Sequence, residues 1–528
     1  MRNLQLPGRS PVFARNAAIA TSHPLATAAG LSILKSGGNA VDAAIAACAV
    51  MCVVEPAMTG IGGDCFALYA PKGASKPVAL NGSGKAPKAA TLAKLKELGI
   101  EDEIPLHSPH AVTVPGAIAA WSKLLADHGS KSFAEILAPA IEYAEHGYVV
   151  HSRVAFDWEG EVEELAADPD TARVMLVDGK APKAGSIHSQ PQLAETLKKI
   201  AAGGRDAFYT GEVAEDMVAK LNSVGGLHTM EDFAAADAEY VEPIRTDYRG
   251  YDIYECPPNG QGICALMILN ILSGFDVASL SEADRVHLIA EATKIGYNQR
   301  NAYVADPKFA DVPVEWMLGE EHTAQMRAMV DMTKAGNFKD SDFPVHRDTI
   351  YLSCIDEQGN AVSFINSLFS GFGSMIMAPK SGVMLHSRGN SFHVKEGHPN
   401  CIEPRKRPMH TIIPGFVFKG GTPVAPFGVM GGQYQSTGQA NFISNVVDRG
   451  LDMQEAMDAP RSFATTEGVL QVECTFEEAT YATLEARGHT LERVDKPIGG
   501  SQCIWRDPET GILQAGSDPR KDGHASGY

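Results

Sequence analysis

The sequence changes its hydrophobic periodicity abruptly near residue 348. From about residue 91 to residue 300 the pattern is mainly helical. A polar, charged interval follows at 334–348. After it, residues 349–355 show the alternating pattern of a strand, residues 356–360 have the composition of a turn, and residues 361–366 alternate again. This second pattern is typical of a β-hairpin. The change is the best internal boundary in the chain, yet the parts on either side depend too much on one another to form independent domains.

Residues 25–56 predict two consecutive helices. The second begins with Asn39 and Asp42 spaced as in a capping box, with aspartate in place of the usual glutamate. Because this helix is apolar nearly all round, we expect it to be deeply buried. Further helices are predicted at 117–126, 133–146, 263–272, 438–447 and 452–457, and further strands at 65–70, 382–385, 411–418 and 423–428.

Composition excludes several classes of protein. Of 528 residues 44% are hydrophobic, so a large core is available, and the net charge of −19 argues against a nucleic-acid partner. Nine cysteines without a CxxC spacing fit neither a disulfide framework nor a zinc ribbon. The chain start lacks an apolar signal region, and the longest apolar run, 43–54, is too short to span a bilayer. We therefore expect a cytoplasmic protein with no membrane partner.

Several familiar catalytic motifs are missing. The sequence contains no HExxH and no GxSxG, and in LNGSGKA the residue Ala86 replaces the hydroxyl that a Walker loop needs. His107 and His110 lie in a proline-flanked loop without a nearby carboxylate pair, so no metal site is expected there.

Thr349 stands where the charged interval meets the first alternating strand. A threonine at the start of a strand is ordinarily structural. If the chain were cut before Thr349, its nitrogen would become an α-amine with a pKa of about 7.7–8.0. That amine could act as general base for the hydroxyl of the same residue. Gly431 and Gly432, ahead of a helix, could then offer backbone N–H groups to an oxyanion, although such a pair is more often a turn.

The sequence resembles the γ-glutamyltransferase family of N-terminal-nucleophile hydrolases over essentially its whole length. The stretches that carry the resemblance are ATSHPLATAAGLSILKSGGNAVDAAIAA, EPAMTGIGGDCFALY, TVPGAIAAW, PPNGQG, DTIYLSCIDEQGNAVSF, KRPMHTIIP, FGVMGG and APR. The resemblance implies an α+β fold, a four-layer αββα sandwich, and self-cleavage between Asp348 and Thr349. A large chain, 1–348, and a small chain, 349–528, would then form one structural unit as a heterodimer. No metal or organic cofactor is implied.

The resemblance also assigns roles to particular residues. Thr349 matches the nucleophile, and Ser367 falls where the family has a threonine that hydrogen-bonds the nucleophile's amine. Gly431 and Gly432 match the oxyanion pair. His410 and Thr411 fall on a serine pair that contacts the substrate's α-carboxylate, and only Thr411 keeps a hydroxyl.

The clamp for an amino-acid substrate departs from the family pattern. Ser83 stands in the stretch where the family's carboxylate-binding arginine is expected. Arg388 and Ser391 stand where a carboxamide and a carboxylate would hold the substrate's amine, and Phe369 replaces an asparagine. A substrate ammonium facing Arg388 would be repelled.

Three functions stay open on the sequence. The resemblance makes a small-molecule γ-glutamyl amide such as glutathione the default substrate. The altered clamp favours an acylase acting on other amides, such as glutaryl-cephalosporin or oxamate-like dicarboxylic monoamides. A relative that never matures and has no enzymatic activity is the third hypothesis. Arg388 could instead pair with a protein carboxylate and never meet substrate.

Overall fold

The computed structural model describes residues 8–336 and 349–528. Asp348, on one side of the predicted cleavage bond, and residues 1–7 at the chain start lie outside these ranges. The strands are β1 (Val12–Ala14), β2 (Ala18–Thr21), β3 (Asp64–Ala70), β4 (Val78–Gly82), β5 (Tyr148–Val149), β6 (Ile187–His188), β7 (Glu239–Val241), β8 (Ile244–Tyr248), β9 (Tyr251–Glu255), β10 (Ile350–Ile355), β11 (Ala361–Ser367), β12 (Gly415–Lys419), β13 (Thr422–Met430), β14 (Ser462–Ala464), β15 (Val469–Val472), β16 (Thr490–Arg493), β17 (Gly500–Arg506), β18 (Leu513–Ser517) and β19 (His524–Gly527).

Helices occupy much of the region before residue 330. They are α1 (Pro24–Lys35), α2 (Ala40–Val54), α3 (Leu92–Glu97), α4 (Ala117–His128), α5 (Phe133–His146), α6 (Ser152–Glu159), α7 (Val162–Ala166), α8 (Pro169–Met175), α9 (Pro191–Tyr209), α10 (Glu212–Ser223), α11 (Met230–Ala234), α12 (Gly262–Leu272), α13 (Glu282–Tyr303), α14 (Val314–Leu318), α15 (Glu320–Ala328), α16 (Gln435–Val447), α17 (Met453–Asp458) and α18 (Glu478–Ala486). Short 3-10 turns cover Pro109–Ala111, Val277–Ser279, Arg388–Ser391 and Gly432–Tyr434.

Two seven-stranded antiparallel sheets form the centre of the molecule. One has the order β1-β18-β17-β13-β12-β9-β8, and the other has the order β19-β2-β10-β11-β3-β4-β7. They pack face to face, with β10 against β13 and β17 and β2 against β18. Aromatic and aliphatic side chains such as Phe66, Tyr351 and Phe416 fill the space between them. Both sheets combine strands from before and after the junction at residue 348.

Helical layers cover the two outer faces. Helices α1, α2 and α4 pack on the sheet that contains β10 and β11, and α12, α16 and α17 pack on the other sheet. The order of layers is therefore helix, sheet, sheet, helix, which confirms the predicted four-layer αββα fold of α+β class.

The buried helix α2 forms as its sequence predicts. All its residues are buried, and Asn39 and Asp42 make both reciprocal hydrogen bonds of a capping box. The Asp42 carboxylate also accepts hydrogen bonds from the backbone and hydroxyl of Ser130, which ties the start of α2 to the loop before α5. The cap thus fixes the helix whose face supports β10 and β11.

The predicted hairpin is confirmed as β10 and β11, which pair in antiparallel register with Ile350 opposite Asn366. This register brings the residue before β10, Thr349, beside the last residue of β11, Ser367. The predicted strand at 382–385 is wrong, because that segment makes only isolated bridges. The strand predicted at 411–418 is confined to Gly415–Lys419, since residues 411–414 make no ladder.

Within residues 8–336 and 349–528, none of the helices combines the length and the apolar character needed to cross a bilayer.

Candidate active site

Thr349 lies at the mouth of the hairpin, with only 1% of its surface exposed. Its Oγ1 is 3.1 Å from the Oγ of Ser367, so the two hydroxyls share a hydrogen bond. Ser367 Oγ also accepts a hydrogen bond of 2.8 Å from the backbone N–H of Phe369. This second bond orients the serine hydroxyl towards the threonine. The pair predicted from the sequence is therefore in direct contact.

Arg388 reaches the same place from a 3-10 turn and is fully buried. Its Nη1 donates to Thr411 Oγ1 at 2.7 Å, and its Nη2 donates to Ser367 Oγ at 3.4 Å. Its guanidinium lies 4.1 Å from the ring centroid of Phe369, a cation–π contact. Among the described residues, no carboxylate lies within 4.0 Å of the guanidinium. Burial lowers the pKa of Arg388 to about 9, against the opposing effect of Asp64, so the side chain remains a cation at neutral pH.

A buried carboxylate, Asp64, organises the residues behind Arg388. Its Oδ1 accepts from the N–H groups of Gly84 and Gly116, and its Oδ2 lies 2.9 Å from Nε2 of His410. Burial opposes ionisation of Asp64, but the nearby His386, His410 and Arg388 hold its pKa down at about 2.

The imidazole of His410 faces this carboxylate. Burial and the nearby cation of Arg388 lower the pKa of His410 to about 3, so the ring is neutral and donates its Nε2–H to Asp64. Its predicted contact with substrate stays a prediction, since the described polar contact of the ring is with protein. The hydroxyl of the next residue, Thr411, accepts a hydrogen bond from Arg388.

The two glycines of the predicted oxyanion pair connect β13 to α16 in backbone conformations that favour glycine. Gly431 has φ of 124° and Gly432 has φ of 58°. A Cβ on Gly431 would meet the Cα of Gly499 at 2.9 Å, so the loop also needs glycine for space.

Gln261 ties this glycine loop to the segment that carries Thr411. Its Nε2 donates to the carbonyl of Thr411 at 2.8 Å and to the carbonyl of Gly432 at 3.2 Å. Its Oε1 accepts from Nη1 of the buried Arg300 at 2.7 Å, and Arg300 also donates to the side chain of Gln433. One buried side chain therefore fixes the spacing of two loops that border the site.

Ser83 and Ser391 are buried near the site but have other described partners. Ser83 Oγ accepts from Asn259 Nδ2 at 3.2 Å, and its carbonyl accepts from Arg407 Nε at 2.9 Å. The carbonyl of Ser391 accepts from Asn400 Nδ2 at 2.6 Å, while its buried hydroxyl makes no hydrogen bond among the described residues. Their predicted roles in substrate binding stay predictions.

A cavity of about 340 Å³ opens beside Gly431. Its wall includes Tyr434 and Phe463 on one side and the cations Arg153, Lys496 and Lys521 on another. These three cations lie around the single buried carboxylate of Asp157, at 2.8, 3.0 and 3.5 Å. The cavity borders the glycine loop at Gly431, but its wall does not include Thr349, Ser367 or Arg388.

Comparison with known proteins identifies the family. The family model described as gamma-glutamyltranspeptidase matches residues 26–528. This chain belongs to the γ-glutamyltranspeptidase family. The resemblance seen in the sequence is thereby confirmed.

Relatives of the γ-glutamyltranspeptidase family match over nearly the full length. The glutathione hydrolase-like YwrD proenzyme of Bacillus subtilis is 38% identical over 96% of this chain and 98% of its own. The oxamate amidohydrolase proenzyme of Klebsiella pneumoniae is 33% identical over 96% of this chain and 97% of its own. The crystal structure of cephalosporin acylase from Bacillus halodurans superposes with a TM-score of 0.94 at 40% identity, covering 100% of this chain and 99% of that one. The chain is accordingly an amide hydrolase or acyltransferase with the N-terminal-nucleophile hydrolase fold.

Sequence reasoning missed Asp64, Gln261 and Arg300. Asp64 ends TGIGGD and Gln261 lies in PPNGQG, and the family resemblance assigns no role to either residue. A polar residue directly beside glycines was the available signal in both stretches. Arg300, in the last turn of a long helix, carried no local signal.

Proposed function

We propose that this member of the γ-glutamyltranspeptidase family is an N-terminal-threonine amidohydrolase that matures by cutting the bond between Asp348 and Thr349. The Thr349 hydroxyl attacks the carbonyl carbon of Asp348, and the acyl group moves from nitrogen to oxygen. Water then hydrolyses the resulting ester. The products are a chain of 348 residues ending in a carboxylate and a chain of 180 residues beginning with the free amine of Thr349.

The contact between Thr349 and Ser367 supports this proposal. In the cut enzyme, the α-amine of Thr349 takes the proton from its own hydroxyl as the oxygen attacks a substrate amide. Backbone N–H groups of Gly431 and Gly432 stabilise the oxyanion, and the amine then protonates the leaving nitrogen. Water, or an acceptor amine, releases the acyl group from Thr349. The hydroxyl of Ser367 holds the nucleophile during these steps.

We propose further that the preferred acyl group carries a terminal carboxylate and no amine. The observation that supports this choice is the buried Arg388, which contacts both Ser367 and Thr411 and has no carboxylate within 4.0 Å among the described residues. A buried guanidinium beside the nucleophile's partner favours a carboxylate ligand. Among the described residues, Asp64 is the acidic group whose charge acts on Arg388, and its oxygens are already bonded by two backbone N–H groups and His410. A substrate ammonium would thus meet the guanidinium of Arg388, while both oxygens of the nearby Asp64 are already bonded.

The γ-glutamyl amides are the second candidate, because the Bacillus subtilis relative carries a glutathione hydrolase-like name. Glutaryl, γ-glutamyl and butyryl p-nitroanilides separate the possibilities, since they differ only in the carboxylate and the amine of the acyl group. We expect the glutaryl compound to be cleaved fastest. Faster cleavage of the γ-glutamyl compound would contradict the proposed role of Arg388.

The matched variant is Arg388→Met, which keeps an unbranched side chain but removes the charge. The variant loses the proposed charge-assisted hydrogen bond between Arg388 and the substrate carboxylate, which stabilises the transition state by about 3 kcal/mol. We therefore expect kcat/KM for the glutaryl compound to fall about 100-fold. The butyryl compound, which has no carboxylate, serves as the control and should change far less. Equal losses on both compounds would indicate a structural role for Arg388.

Intact mass measurement tests maturation directly. The wild-type protein should give two masses that correspond to 1–348 and 349–528, and Thr349→Ala should give one mass for the whole chain. N-terminal sequencing of the lighter fragment should begin at Thr349. A fragment with any other first residue would refute the assignment of the nucleophile.

A further inference from the structure

Three metal-binding side chains converge away from the candidate active site. His287 and Glu291 are one turn apart on α13, so they lie on the same face of the helix. His489, the residue directly before β16, lies beside them. One ligand atom of each lies within 4.8 Å of the others, and all three residues are buried. Two of them precede the junction at residue 348, and the third follows it.

The hydrogen bonds of His287 leave one ring nitrogen suited to a metal. Its Nε2 lies 2.8 Å from the carbonyl oxygen of Asp331, which can only accept, so Nε2 carries the hydrogen. Nδ1 therefore has a lone pair, and it lies 2.7 Å from Nε2 of His489. A backbone carbonyl that holds one ring N–H is a common outer partner of a metal-binding histidine, because it orients the other nitrogen towards the ion.

Glu291 already holds a cation at this position. Its Oε1 is 2.5 Å from the ammonium of Lys294, and its Oε2 accepts from the N–H of Gly336 at 2.9 Å. Lys294 also donates to the carbonyl of Gly336 at 3.0 Å. The lysine thus retains a partner if an ion takes its place on the carboxylate.

We propose that His287, Glu291 and His489 bind one Zn²⁺ ion. Two imidazoles and one carboxylate form a common three-residue set of protein ligands for zinc, with water as the fourth ligand. Bonds of about 2.0–2.1 Å in tetrahedral geometry place two nitrogens about 3.3 Å apart. The ion therefore replaces the hydrogen bond between the rings and separates them by roughly half an ångström, and the hydrogen on Nε2 of His489 moves to its Nδ1.

The proposed ion lies between residues from before and after the junction at residue 348. Asp331 and Gly336, which bond His287 and Glu291, belong to the segment that leads towards the junction, whereas His489 lies in the region after it. Zinc would join these two parts. If Thr349 becomes a new N-terminus as proposed above, the ion links the two resulting chains, and this consequence alone rests on the proposed function.

Zinc content after equilibration with ZnSO₄ and gel filtration tests the proposal. We expect about one zinc per molecule in the wild-type protein and in uncut Thr349→Ala, so that the result does not depend on maturation. Glu291→Gln retains an acceptor for Gly336, and His489→Gln retains a hydrogen-bonding group for His287. Each of these variants should bind zinc at least tenfold more weakly.

The matched control is the double variant His107→Gln and His110→Gln, which removes two histidines from a loop outside the cluster. It should hold as much zinc as the wild-type protein. A wild-type protein without bound zinc would overturn the proposal. Zinc content that stays the same in folded Glu291→Gln and His489→Gln would overturn it as well.

Discussion

Replacement of Gln261 by methionine should impair catalysis without touching any reacting atom. The variant keeps the size of the side chain but removes its two bonds to the carbonyls of Thr411 and Gly432 and its bond from Arg300. Two neutral hydrogen bonds at about 1 kcal/mol each and one charged bond at about 1.5–3 kcal/mol predict a loss of about 3.5–5 kcal/mol in unfolding free energy. The loops on either side of the nucleophile would also lose their common support.

The effect on turnover follows from the position of the glycine loop. If Gly431 and Gly432 hold the oxyanion, a small displacement of their N–H groups lowers kcat by about 100-fold. KM should change much less than kcat, because the interaction lost acts mainly in the transition state. Gln261→Glu should also lower kcat, because it keeps the bond from Arg300 but cannot donate to the two carbonyls.

Steady-state kinetics with the glutaryl anilide measures both parameters, and chemical denaturation measures stability. Gln439→Met is the matched control, because Gln439 is equally buried and donates to the carbonyl of Ile413, and among the described residues it makes no hydrogen bond with Gly431 or Gly432. That control should lose stability with little change in kcat. A folded, matured Gln261→Met enzyme with the wild-type kcat would refute the argument.

Three further outcomes are expected. Ser367→Ala should slow both self-cleavage and turnover by about tenfold or more, because it removes the hydroxyl bonded to Thr349, whereas Ser367→Thr should retain most of the rate. The formation of fragments, followed on a gel, measures the rate of self-cleavage. Equal rates for the two variants would contradict this role of the hydroxyl. Asp42→Ala should lower the unfolding free energy by about 2–4 kcal/mol, because it removes the capping box and the buried carboxylate that accepts from the backbone and hydroxyl of Ser130. Denaturant titration measures the loss, and a loss below about 1 kcal/mol would contradict the expectation. Stability should fall between pH 7 and pH 5, because the unfolded chain takes up a proton at His410 near its ordinary pKa of 6.5 while the folded chain, with a pKa of about 3, does not. This one residue contributes about 2 kcal/mol to that fall, so denaturation of His410→Gln at the two pH values should show a smaller difference than the wild-type protein, and an equal difference would contradict the assignment.

Local features of this fold were readable from the sequence because neighbouring residues encode them. The capping box at Asn39 and Asp42, the uniformly apolar α2 and the alternating hairpin all depend on spacings of a few residues, and each formed as predicted. The prediction of a strand at 382–385 was wrong because short apolar runs have the same composition in strands and in buried turns.

The sequence by itself predicted the family and, through that family, the four-layer fold and the adjacency of Thr349 and Ser367. In the structure, the register of one hairpin places both residues at the same end. Tertiary structure alone decided what surrounds that pair. Asp64 and His410 are 346 positions apart, and Gln261 reaches Gly432 across 171 positions. Such contacts arise where strands and loops from distant parts of the chain meet around two packed sheets. No local pattern specifies which buried polar groups will satisfy one another there, so the environment of Arg388 became clear only once the chain was folded.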